Sequence, residues 1–97
     1  MDTQLVNTIN TVFTGSSITY AAIFGSLAKG TATPESDIDI LFDYDPTKRL
    51  SLFDLLELQN KLETQLGKDV DLVPIGGLKE DIKKEVLESA LTVYEKR

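Results

Sequence analysis

The chain has 97 residues, the size of one domain (residues 1–97) with a single core and no room for an added substrate-recognition domain. Sixteen acids against ten bases give a net charge of −6 with no basic stripe, so the electrostatic term that dominates nucleic-acid affinity is missing and a polymerase role is not expected. Cysteine and histidine are both absent, which removes disulfides, thiol chemistry, imidazole bases and the usual zinc ligands, and leaves hard-metal chemistry with oxygen ligands. The first residues lack a basic region and a long apolar run, and no stretch approaches the roughly 18 apolar residues of a membrane span, so a cytoplasmic protein with no membrane contact is expected.

In chain order, Leu5, Val6, Ile9, Val12 and Phe13 follow helical spacing, with Asp2 or Thr3 as cap and Gly15 as stop. Tyr20-Ala21-Ala22-Ile23-Phe24 is a short apolar run of strand formers ended by Gly25. Ser26 to Lys29 then reads as one helical turn closed by Gly30. At such a helix start, free backbone N–H groups and the helix dipole favour an anion, a serine hydroxyl adds a donor, and glycine lets the backbone approach closely. Gly25 and Ser26 are therefore candidates to wrap a phosphate, although Gly-Ser after a strand is also common in ordinary turns.

Thr31 to Ser36, with Pro34, forms a polar loop before Asp37-Ile38-Asp39-Ile40-Leu41-Phe42. A period of two puts Ile38, Ile40 and Phe42 on one face of this strand and Asp37, Asp39 and Leu41 on the other. The Cα atoms of the two acids would lie about 6.5–7 Å apart, close enough for their carboxyl groups to converge on hard cations such as magnesium. The bland alternative is a pair of solvated edge-strand charges. Asp43-Tyr44-Asp45-Pro46 is expected as a turn.

Ser51 caps a second long helix, with Leu52, Leu55, Leu56, Gln59, Leu62 and Leu66 expected on its inward side and Gly67 as its end. A third strand follows, in which Asp71 sits among Val70, Leu72 and Val73 while Asp69 stands at the mouth as a turn charge. An acid inside a buried strand costs several kcal/mol (about 2–7 for an unpaired polar group) unless something compensates it, and a cation bound with Asp37 and Asp39 would do so. Residues from about Leu78 to Leu91 form a last helix with Ile82, Val86 and Ala90 inward, and Val93 and Tyr94 complete the core. Lys48 and Arg49 read as solvated surface.

These residues resemble the minimal nucleotidyltransferases (MNT) of the DNA polymerase beta-like nucleotidyltransferase superfamily. The pattern is Gly25-Ser26, a short spacer with Lys29 and Gly30, then Ser36-Asp37-Ile38-Asp39 and the later Val70-Asp71-Leu72 strand. The likeness extends through Asp45-Pro46, Ser51 to Leu55, Leu66-Gly67, Glu85 to Glu88 and Val93 to Glu95, nearly the whole chain. It implies a small mixed α/β fold, a three- or four-stranded sheet backed by helices like the superfamily's catalytic palm. It also implies that Gly25 and Ser26, with Lys29 and Ser36, hold the triphosphate of ATP, and that Asp37, Asp39 and Asp71 hold two Mg2+ ions, with Mn2+ as a substitute. Lys29 stands where many relatives have arginine; it keeps the charge but loses the bidentate fork. Family members are typically antitoxins paired with HEPN-domain toxins, which are ribonucleases. The resemblance therefore implies transfer of AMP from ATP to a toxin tyrosine and a hetero-oligomer with that toxin. Two alternatives stay open: an antitoxin that neutralises by covering its toxin without catalysis, and a small-molecule nucleotidyltransferase whose acceptor pocket comes from another subunit.

Overall fold

The structure is a computed structural model and describes residues 3–31, 33 and 35–96. Asp2, one of the two cap candidates for the first helix, and Pro34 fall outside them. The elements run α1 (Thr3–Phe13), β1 (Ile18–Phe24), α2 (Ser26–Lys29), β2 (Ile38–Tyr44), α3 (Leu52–Leu66), β3 (Val70–Pro74), a 3-10 turn (Ile75–Gly77), α4 (Glu80–Ser89) and β4 (Leu91–Glu95). The expected small mixed sheet flanked by helices is thus what the chain forms. Its order is β3-β2-β1-β4. β1 pairs antiparallel with β2 and β4, whereas β3 lies parallel to β2 because α3 carries the chain back across the sheet between them.

The alternation along β1 and β2 divides the sheet cleanly. Ala21, Ile23, Ile38, Ile40 and Phe42 enter the main core with Leu5, Ile9 and Phe13 of α1 and Leu58 and Leu62 of α3. Tyr94 joins them as expected, its ring edge-on to Phe13 with centroids 5.9 Å apart and its hydroxyl 3.4 Å from Phe13 O. Asp39 and Leu41 point to the opposite face, where Leu41 and its register partner Ala22 are also fully buried.

Helix α3 is tied at both ends. Ser51 Oγ accepts the Asp54 N–H at 3.1 Å while the Asp54 carboxylate accepts the Ser51 N–H at 3.1 Å. This reciprocal cap contributes about 1 kcal/mol. Gly67 closes the helix, donating its N–H to Glu63 O at 2.9 Å.

Four expectations need correction. Asp43 and Tyr44 belong to β2, because a register shift in β1 keeps them paired with Tyr20 and Ile18. The turn begins at Asp45, whose carboxylate accepts both the N–H and the hydroxyl of Thr47. The inward face of α3 holds Leu55, Gln59, Leu62 and Leu66 as expected, but it also takes in Leu58, whereas Leu52 is 71% exposed and Leu56 also faces outward. The last helix is shorter than expected and none of its residues is buried; Val86 and Ala90 are half-buried and Ile82 is exposed. Residues 91–95 form a strand beside β1, so Leu91 lies in β4 rather than in the last helix, and Val93 and Tyr94 reach the core from the sheet. Among the described residues, no helix is long and apolar enough to cross a membrane.

Candidate active site

β1 ends at Phe24, and Gly25 then turns the chain at φ +74° into α2, which Ser26 opens at the backbone level. The Ser26 side chain is outside the described structure. The Lys29 N–H returns to Gly25 O at 3.1 Å, closing the single turn, and Lys29 itself is exposed. Strand, glycine and helical turn therefore stand as the sequence indicates.

The register brings the acids to the same end of the sheet. Phe24, the residue before Gly25, lies opposite Asp39 in the β1–β2 pair, and Asp39 lies opposite Asp71 in the β2–β3 pair. A Cβ built on Gly25 would collide with the Asp39 carboxylate, whose Cγ would lie only 3.3 Å from it. The phosphate-turn candidate and the central acid are thus in direct contact, and Asp71 flanks Asp39 on the other side. Asp37 stands exposed just before β2. Partial burial, then the neighbouring charges of Asp71 and Asp37, push the Asp39 carboxyl above its ordinary value of 3.8.

Asp71 departs from its expected setting. β3 is an edge strand and Asp71 is exposed, so the burial cost that made its position seem to demand a cation does not arise. Its claim rests instead on register with Asp39. Asp69, read as a turn charge, is exposed, and its carbonyl accepts the Ile38 N–H at 2.9 Å, extending the β2–β3 ladder toward Asp37.

Ser36 has a local task. Its Oγ accepts the Thr33 N–H at 2.9 Å and its own N–H donates to Thr33 O at 3.0 Å, which fixes the turn that delivers Asp37 to the strand. Beside Asp37, an open groove of about 400 Å³ is lined by Glu35, Ser36, Glu63, Lys68 and Asp69. Glu63 and Phe24 were not singled out from the sequence. Only the strand register and the direction of α3 bring them near the acids, although Phe24 could have been found as the residue that precedes the glycine turn.

The donor set is three carboxylates in a chain without histidine or cysteine, which suits a hard divalent cation such as Mg2+ or Mn2+. Among the described residues, no three acidic side chains are arranged to enclose an ion as they stand.

Residues 7–97 match the family described as Polymerase beta, Nucleotidyltransferase. The protein adenylyltransferase MntA of Thermococcus cleftensis is 42% identical over 71 residues, which are 73% of this chain and 70% of that protein. A crystal structure of a toxin–antitoxin with AMP-PNP is 26% identical, with a TM-score of 0.76 over 95% of this chain and 74% of that one. A structure of a tri-AMPylated HEPN toxin from Shewanella oneidensis in complex with MNT antitoxin is 23% identical, with a TM-score of 0.71 over 98% of this chain and 73% of that one, a likeness of fold. The chain belongs to the polymerase beta nucleotidyltransferase family and is a nucleotidyltransferase.

Proposed function

We propose that this protein is an antitoxin that transfers AMP from ATP to a tyrosine of a HEPN-domain toxin, with which it forms a hetero-oligomer. The observation that carries the reading is the contact between Gly25 and Asp39 with Asp71 in register beside them: a backbone turn suited to phosphate placed against acids suited to a cation. The adenylyltransferase relative and the toxin–antitoxin structure with AMP-PNP, an ATP analogue, support the substrate and the partner class.

In this reading Gly25 and the first backbone N–H groups of α2 receive the triphosphate, helped by Ser26, Lys29 and the loop held by Ser36. Asp37, Asp39 and Asp71 would hold two divalent cations. When bound, the cations neutralise the triphosphate charge and orient it for in-line displacement. The tyrosine oxygen forms a bond to the α phosphorus as the bond from that phosphorus to the bridging oxygen breaks, and pyrophosphate leaves. Asp71, exposed on the edge strand, is open to accept the tyrosine proton on a carboxylate oxygen.

The test is to incubate the protein with ATP, Mg2+ and a HEPN toxin encoded beside it, and to measure the toxin's intact mass. One or more added AMP units, mapped to tyrosine and absent with EDTA, is the expected result. An unmodified toxin that is nevertheless neutralised would overturn catalysis in favour of masking.

A further inference from the structure

Edge strand β3 carries Asp71, and an edge strand has one row of backbone groups with no strand to pair with. In a parallel pair, successive residues direct their N–H and C=O groups alternately toward the neighbour and away from it. Asp69 faces β2, since its carbonyl accepts the Ile38 N–H, so Val70 presents its groups to the open side. Both are taken by α3: Gln59 Nε2 donates to Val70 O at 2.9 Å, and Glu63 Oε2 accepts the Val70 N–H at 2.9 Å. Gln59 and Glu63 are one helical turn apart, both half-buried, and together they reproduce the donor and acceptor of a missing neighbouring strand. Val70 is fully buried and is the residue before Asp71.

We infer that Gln59 and Glu63 are positioning residues for the cation site, a two-point clamp that fixes Val70 and thereby sets Asp71 opposite Asp39. The inference rests on the reading of Asp71 as a cation ligand. Val70 already has its side chain in the core and pairs with Ile38, and the clamp adds what those contacts lack, a fixed backbone orientation at the outer edge. A lost clamp would let β3 fray from its N-terminal end, where Asp69 and Asp71 stand. Glu63 also lines the groove beside Asp37, so its charge has to be separated from its hydrogen bond.

The experiment measures Mn2+ binding by calorimetry with the intact protein and AMP-PNP, together with the melting temperature of each variant. Glu63→Ala is expected to weaken Mn2+ binding on the order of tenfold, the low end of what outer-sphere partners contribute. Glu63→Gln keeps an acceptor for the Val70 N–H and should bind Mn2+ within about twofold of the parent, well below that range. Gln59→Leu should fall between them. In an Asp71→Asn background, adding Glu63→Ala should cause no further loss, because the clamp acts through Asp71. Equal weakening by Glu63→Gln and Glu63→Ala would overturn the clamp in favour of a charge effect. So would Glu63→Ala that lowers the melting temperature yet binds Mn2+ as the parent does. If Asp71→Asn itself leaves Mn2+ binding unchanged, the ligand reading of Asp71 fails, and with it the purpose assigned to the clamp.

Discussion

Residue 25 and the carboxylate of Asp39 compete for one volume: only the absence of a side chain at Gly25 lets the acid stand against the β1–α2 turn. The two are separated by a loop in sequence and by almost nothing in space, because Phe24 and Asp39 are opposite one another in the antiparallel pair. Gly30, at the other end of α2, has the same φ of +74° but open space where its Cβ would go.

That contrast gives a controlled prediction. Alanine at either position incurs the left-handed backbone cost of about 1–2 kcal/mol. Melting temperatures should therefore drop by about 4–8 °C or more in both variants. Only Gly25→Ala should also displace the Asp39 carboxylate and abolish AMP-PNP binding in the presence of Mg2+. Calorimetry on both proteins checks it, and equal nucleotide affinity in the two would place the nucleotide elsewhere.

The sequence exposed the acid strand and the glycine turn well because each obeys a local rule: Ile38, Ile40 and Phe42 alternate, and Ser26 to Lys29 are bracketed by glycines. It was less legible where non-local pairing decides. Asp71 reads as a buried acid from Val70, Leu72 and Val73, but burial depends on which sheet face the helices cover: Val70 points to the core and is fully buried, whereas Asp71, one residue on, shares the opposite face with its register partner Asp39 and is exposed. The last helix reads on to about Leu91 because its apolar spacing continues past Ala90, and Val93 and Tyr94 read only as core residues, while pairing with β1 makes Leu91–Glu95 a strand. In α3, seven apolar side chains exceed what one stripe can hold, so periodicity alone could not choose between Leu52 and Leu58 for the core.

That choice is measurable. Leu58 is 8% exposed in the main core and Leu52 is 71% exposed, so their truncations should differ sharply. Leu58→Ala should destabilise the fold by about 2–5 kcal/mol. Leu52→Ala should stay within about 0.5 kcal/mol. Urea unfolding followed by circular dichroism reads both, and similar losses would return Leu52 to the core.

Asp39 should weaken the fold it serves. Its carboxyl is raised by partial burial and by the charges of Asp71 and Asp37, so the protonated form is the one the fold favours. Its contribution is full below the ordinary value of 3.8 and is lost as pH rises through the higher folded value. At pH 7, Asp39→Asn should therefore melt higher than the parent, and the gap should close as the pH falls toward 3. Mg2+ with AMP-PNP should raise the parent's melting temperature and leave that of Asp39→Asn nearly unchanged, since ligand stabilisation follows occupancy. A gap that widens on acidification would contradict the electrostatic account.

Chemistry and complex formation should separate. Asp37 and Asp39 stand at the end of the sheet that holds the β1–α2 turn, whereas the exposed Leu52 and Phe53, the latter 84% exposed, lie on the outer side of α3. Removing either carboxylate should cost transfer at least about a hundredfold, since displacements of about 1 Å already cost that much. The toxin should still bind, because neither substitution touches the core: Asp37 is exposed and Asp39 points away from α1 and α3. Asp37→Ala and Asp39→Ala are each expected to co-purify with the HEPN toxin, to add no AMP to it, and to leave it active once diluted from the complex. Intact-mass measurement and a ribonuclease assay after dilution read the outcome. AMP addition by Asp39→Ala at the parent rate would remove these acids from the reaction, and lasting toxin inactivation without any AMP would assign neutralisation to binding.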